Sequence, residues 1–234
     1  MEQYRITYLH HSGFICELKD CILVFDYYTD PAGRLEEVLE NAEKPVYFFV
    51  SHFHGDHFNP SIRRYEKRAA GYILHSDCSL KVVDCDRIHH IEVGDSLVTD
   101  HFQVRMYGST DVGGSFWIFH AGGSIFHAGD LNWWHWAGES DLENGDARDM
   151  FFKELKNIDE TEADIVFFPV DARQAVAREW GVKAFLDKIR VKSILVPMHA
   201  FGSRWVPSYE FRWKYPDVPL WIPKEDGEIY TGEK

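Results

Sequence analysis

The chain has 234 residues, a formal net charge of −13 (25 Lys and Arg against 38 Asp and Glu), 45% hydrophobic and 15% aromatic side chains. The length fits one large domain, 1–234, with enough apolar material to bury its own core. The acidic balance argues against a nucleic-acid partner, because phosphate binding needs clustered Lys and Arg.

Residues 1–6 lack the apolar core of a signal peptide, and no apolar run is long enough to span a bilayer. A cytoplasmic protein with no membrane partner is therefore expected. Residues 4–9, 13–18 and 21–26 alternate as short strands, with Lys19-Asp20 between the last two as a hairpin or meander turn. Helical spacing follows over 33–42. The apolar run 46–50 reads as a strand, and 60–70 as a helix, with Asn59 as its cap and Pro60 in its first turn. That segment holds the only dense basic run, Arg-Arg-Tyr-Glu-Lys-Arg at 63–68, read as a solvated helix face. Strand signals return at 71–75, 87–92, 102–107, 115–120 and 124–127, with Gly122-Gly123 as a tight turn between the last two. A helix over 147–158, a buried strand over 164–169, a helix over 182–189, a strand over 193–197 and an aromatic tail complete the chain. Sheets covered by helices on their outer faces, an α/β sandwich, are the predicted architecture. The cysteines, Cys16, Cys21, Cys78 and Cys85, form no Cys-x-x-Cys pair and read as free thiols.

The most informative stretch is 51–58, Ser-His-Phe-His-Gly-Asp-His-Phe. It places His52, His54, Asp56 and His57 within six positions, directly after the strand over 46–50. Imidazole and carboxylate are the usual ligands of catalytic zinc and similar ions, and a loop at the end of a strand holds them on a rigid scaffold. One such motif cannot complete two coordination shells. Asp111, Asp130 and His199 each follow a strand-like run and are the candidates for completing the site.

In these motifs, His52-Phe53-His54-Gly55-Asp56-His57 above all, with Gly129-Asp130 and Pro197-Met198-His199 supporting it by order, the chain resembles the metallo-β-lactamase superfamily. Within that superfamily it is similar to the compact hydrolases of the ascorbate-phosphate lactonase group, and the motifs span from Tyr4 to about Ile229. The resemblance implies an αββα sandwich of two mixed sheets with a two-metal site at one edge. It implies His52 and His54 on the first metal, Asp56, His57 and His199 on the second, and Asp130 bridging. The superfamily usually adds a histidine to the first metal from a His-Thr-x-Gly-Ser segment. Here the matching stretch is Asp111-Val112-Gly113-Gly114-Ser115, so Asp111 is the expected substitute ligand. Two divalent ions are implied, zinc first, with manganese or iron as alternatives because carboxylate ligands favour them.

Such a site implies a hydrolase that uses a metal-bound hydroxide to cleave a small ester, lactone or phosphoester, with Asp56 as both ligand and proton acceptor. His11, in His10-His11-Ser12-Gly13, resembles a histidine that lies near the site in related hydrolases. Trp133 and His135, in an aromatic run after Asp130, form a pocket wall or pack against the next helix or a second copy of the chain. Arg173, in Asp171-Ala172-Arg173, reaches the same edge and either binds a substrate phosphate or carboxylate or makes a surface ion pair. Gly113-Gly114 reads as a hairpin or close-approach element rather than a nucleotide cradle. A nucleic-acid-processing nuclease of the superfamily and a metal-poor, non-enzymatic sensor are the alternatives. A small molecule is the expected partner, and homo-oligomerisation is left open.

Overall fold

A computed structural model describes residues 3–233. Two mixed β-sheets face one another. The first has seven strands in the order β13 (Ile229–Glu233), β1 (Gln3–His10), β2 (Gly13–Glu17), β3 (Ile22–Phe25), β4 (Val46–Val50), β5 (Ala69–His75), β6 (Ile88–Ile91). The second has six, in the order β12 (Arg190–Met198), β11 (Glu162–Pro169), β10 (Gly123–His127), β9 (Gly114–His120), β8 (Gln103–Gly108), β7 (Ser96–Val98). Strands β3 to β6 run parallel, as do β10, β11 and β12; the remaining pairs are antiparallel.

The period-2 geometry of a strand sends alternate side chains to opposite faces, and the first sheet uses both. Leu23, Phe25, Phe49 and Ile73 point into the core between the sheets. Their neighbours Ile22, Val24, Phe48, Val50, Tyr72 and Leu74 build a second core on the outer face, closed by Leu35 and Leu39 of α1 (Arg34–Asn41). The second sheet is covered by α2 (Asp141–Asn157) and α3 (Trp180–Lys188), through Phe151, Leu155, Val182 and Phe185. A short α4 (Tyr209–Lys214) precedes β13. This is the predicted αββα sandwich.

Several local expectations change. The segment after the octet is a 3-10 turn over Pro60–Tyr65 rather than a helix to residue 70; Asn59 does cap it, accepting from Ser61 N–H, but β5 claims the chain from Ala69. The β9–β10 turn is Ala121-Gly122, both left-handed (φ 45 and 75), and Gly123 already belongs to β10. Helix α2 starts six residues earlier than predicted, at Asp141 rather than 147. Its start is set by a capping box in which Ser140 and Glu143 satisfy one another's backbone N–H groups. Among the described residues, no helix is long and apolar enough to cross a membrane. The four cysteines are free, three of them buried and Cys85 exposed.

Candidate metal centre

Every polar side chain that builds the site leaves the C-terminal end of a strand, and all these ends lie along one edge of the sandwich. His11 follows β1, Asp26 follows β3, the octet follows β4, and Asp111 follows β8. Asp130, Asp171 and His199 follow β10, β11 and β12. His11, Asp26 and His199 adopt left-handed backbone conformations (φ 56, 40 and 58), which non-glycine residues hold only where the surroundings enforce them. Two loops interlock beneath the octet. Gly113 (φ +76) passes so close that a Cβ would lie 2.2 Å from Ser51 O and 2.4 Å from His52 Cβ. Gly129 (φ +54) is equally confined, against Gly114 O at 2.6 Å. The close-approach role read for Gly113 is therefore what the backbone requires.

Two groups of ligand atoms form there. His11, Asp56, His57 and His199 make one; His52, His54 and Asp130 make the other, and within each group the ligand atoms lie within 4.8 Å of one another. Asp130 stands between them. Its Oδ1 is 3.0 Å from His57 Nε2 and 3.5 Å from His199 Nε2, while its Oδ2 is 3.5 Å from His52 Nε2. One oxygen thus faces each group.

The supporting hydrogen bonds decide which imidazole nitrogen is free. Asp26, fully buried, accepts from Ser51 N–H at 2.8 Å, Ser51 Oγ–H at 2.7 Å and His57 Nδ1–H at 2.7 Å. With its proton given to Asp26, the Ser51 hydroxyl accepts from His52 Nδ1–H at 3.0 Å. His199 donates Nδ1–H to Asp171 at 2.9 Å. Each of these imidazoles therefore carries its proton on Nδ1 and presents Nε2 to the centre, the orienting arrangement usual behind metal-binding histidines. Buried His127 stacks on Phe25 and donates Nε2–H to Ser12 O at 3.1 Å, closing the floor behind Asp26.

The electrostatics match. Burial works against charge on His57, but the carboxylates of Asp130 and Asp26 outweigh it and raise the imidazole to about 10. His52 is pushed down to about 4 by burial and by the neighbouring His57. His11 also falls to about 4, burial outweighing its contact with Asp56. Asp56 is held well below the ordinary carboxylate range by His11. Asp130 is held there too, because His57, His199 and His52 overcome its burial.

Among the described residues, His11 Nε2 and His52 Nε2 are buried at the centre without a hydrogen-bond partner, and His57 Nε2 and Asp130 Oδ1 have none but one another, 3.0 Å apart. Leaving such atoms bare costs roughly 1–3 kcal/mol each. Lone pairs of nitrogen and oxygen converging in this number and spacing suit divalent cations, so the residues present fit the metal that the motif implies.

The expected ligands His52, His54, Asp56, His57, Asp130 and His199 are thus brought together. The structure also places His11, Asp111, Trp133 and His135. His11, expected near the site, lies within a ligand group, 3.4 Å from Asp56. Asp111, read as a ligand of the first metal, is half-exposed with its Oδ2 3.6 Å from His54 Nδ1, and stands outside the group formed by His52, His54 and Asp130. Trp133 and His135, read either as pocket wall or as packing against the next helix, turn away from the site and pack: Trp133 on Phe152 of α2 and on Trp180, and His135 on Trp180. In an extended segment the alternate positions face the other way, and Trp134 and Trp136 take the wall, their rings stacked 5.6 Å apart. They line a cleft of about 390 Å³ over the ligand atoms, together with Phe201 and Arg173. Arg173 does reach this edge. Its Nε and Nη2 bond Asp171, and its guanidinium lies 4.2 Å over the Phe201 ring. Sequence reading missed Asp26 altogether and gave Asp171 no role, although both obey the strand-end rule that located Asp130 and His199.

No protein-family model matches the chain. It is 25% identical, over 96% of its length and 99% of the other's, to a UPF0173 metal-dependent hydrolase of Nanoarchaeum equitans. Among solved structures it is similar to Igni18, a metallo hydrolase of Ignicoccus hospitalis, with a TM-score of 0.64, 19% identity and 99% of each chain covered. The human short-form tRNase Z shares the architecture at a TM-score of 0.52 and 15% identity, over 97% of this chain and 98% of that one. The chain therefore has the metallo-β-lactamase fold and is similar along its whole length to a metal-dependent hydrolase.

Proposed function

We propose that the protein is a metal-dependent hydrolase of a small ester, lactone or phosphoester, with two divalent cations held on either side of Asp130. The observation that carries this reading is the set of buried Nε2 and Oδ1 atoms facing one another across the Asp130 carboxylate. His11, Asp56, His57 and His199 would hold one cation, His52 and His54 the other. When bound, the cations would supply Lewis acidity and bring the pKa of a water from about 16 towards 7.

The protein's own groups do the rest. Asp26 and Asp171 fix the imidazole orientations through Nδ1, so the centre is arranged before substrate arrives. Asp56, partly exposed and on the cleft side, is the carboxylate placed to take a proton from water. Trp134, Trp136 and Phe201 offer apolar faces to the substrate body. Arg173 keeps Nη1 outside its bonds to Asp171 and points a cation at the same cleft, which favours substrates bearing a carboxylate or phosphate. Zinc is the first candidate for a histidine-rich set.

The nuclease alternative draws no support from the charge distribution. Within the one dense basic run, Arg64 pairs with Glu36 and Arg68 donates to Leu39 O. A metal-poor protein draws on one observation, the position of Asp111 outside the first group. Elemental analysis separates the readings, because protein purified without added metal should carry transition metal, and its absence would sink the hydrolase. With metal present, turnover on a panel of phosphodiesters, lactones and esters should be lost in His54→Ala and Asp130→Ala; full rate in either refutes the site as drawn. Arg173→Ala should raise KM for anionic substrates more than for neutral ones.

A further inference from the structure

At the opposite edge of the sandwich, a second set of metal-ligating side chains bridges the two sheets. Asp20 and Cys21 lie in the β2–β3 turn of the first sheet, and His120 ends β9 in the second. One ligand atom from each falls within 4.8 Å of the other two. His120 Nε2 is 2.5 Å from Asp20 Oδ1, and His101, entering β8, places Nδ1 3.7 Å from the other oxygen of Asp20. Cys21 is fully buried and His120 nearly so, and the second ring nitrogen of His120, Nδ1, is buried without a hydrogen-bond partner. Cys21 and Asp26 mark the two ends of β3, so this cluster stands about 16 Å from the metal centre by strand rise. The hydrolytic reading makes no use of it.

We propose that Asp20, Cys21 and His120 form a structural divalent-metal site, of the thiolate–imidazole–carboxylate type that suits zinc, with His101 beside the fourth position. Thiolate and imidazole are the donors of closed structural zinc sites. The three ligands come from both sheets, so a cation here pins the sheets together at the end where no catalytic loops interlock. Burial, with Asp20 adding to it, pushes the Cys21 thiol up to about 12. The thiol is therefore neutral and inert without a cation, and loses its proton to one.

The catalytic centre contains no sulfur ligand, which gives a clean spectroscopic test. Full-length protein loaded with cobalt(II) should show a thiolate-to-cobalt charge-transfer band in the near ultraviolet. The band should disappear in Cys21→Ser and weaken in Asp20→Asn, a mild change at the exposed turn, and persist in Cys85→Ser. Elemental analysis of Cys21→Ser should show one ion fewer per chain, with the cobalt d–d spectrum of the nitrogen–oxygen centre retained. Absence of the band in the wild type, its survival in Cys21→Ser, or an unchanged ion count would each overturn the assignment. Loss of metal at the catalytic centre leaves the thiolate band in place, so the two sites fail separately.

Discussion

Asp26 illustrates how much a buried carboxylate does without touching a reacting atom. It takes three hydrogen bonds, from the Ser51 backbone, the Ser51 hydroxyl and His57, and through Ser51 it also sets the tautomer of His52. Asp26→Asn keeps the shape but removes the charge and turns half the acceptors into donors. Metal affinity in that variant is expected to fall about 10- to 100-fold, the usual effect of removing such a support, read by competition with a chromophoric chelator; unchanged affinity would show that His57 and His52 need no orienter. His57 yields a pH prediction. Without metal its folded pKa of about 10 lies above the ordinary histidine value, so near neutral pH Nε2 holds a proton that a cation must displace. Metal uptake at pH 7.5 should therefore release close to one proton from this residue, and affinity should fall about tenfold per pH unit as pH drops below 10. Calorimetry in buffers of different ionisation enthalpy measures the release. The sign for stability is the same in origin: the raised pKa stabilises the metal-free fold most below the ordinary histidine pKa, and that contribution fades as pH rises through about 10.

At the level of elements, the site depends on strand ends and on loops that meet at glycine. Ala at Gly113 must adopt a left-handed conformation, costing roughly 1–2 kcal/mol, and its Cβ would overlap Ser51 O and His52 Cβ. Gly113→Ala is expected to lose more stability than that and to lower metal content as the octet shifts; a variant with normal stability and full metal content would contradict the interlock. Ser140→Ala removes the capping box of α2 and should cost about 1 kcal/mol in chemical denaturation while metal content stays constant. The strands are legible in the sequence because alternation and apolar runs are local: β3, β4, β8 to β12 and α1 all fall within a few residues of their predicted places. What depends on partners is not legible in this way. Strand β13 is a short polar segment, Ile-Tyr-Thr-Gly-Glu, that becomes a strand by pairing with β1. The helix expected to residue 70 yields to β5, which gains its register beside β4. The start of α2 is signalled by Ser140 and Glu143 but hidden by the polar, weakly amphipathic turns that follow.

Across the whole molecule, one sequence rule, a ligand at the end of a strand, accounts for most of the centre. It works because β1, β3, β4, β8, β10, β11 and β12 all present their C-termini at one edge. It stops short where facing direction decides: whether Trp133 or Trp134 meets the cleft, and whether Asp111 converges with His54 or only neighbours it, are set by packing that spacing does not encode. The same edge carries the ionised Asp26, Asp56, Asp130 and Asp171, each held ionised by neighbouring histidines or by Arg173. Bound cations would add to the stability of the fold that presents them. Binding at a thousandfold excess over Kd contributes about 4 kcal/mol, so chelation should lower the melting temperature by roughly 8–16 °C for a chain of this size. A shift confined to a degree or two would mean that the acidic edge is stable by itself. The most direct test of the two-cation centre is anomalous diffraction from crystals of metal-loaded protein, recorded at the absorption edge of the metal. Two peaks are expected across the Asp130 carboxylate, one among His11, Asp56, His57 and His199 and one beside His52 and His54; a map with no peak between His52 and His199 would contradict the account.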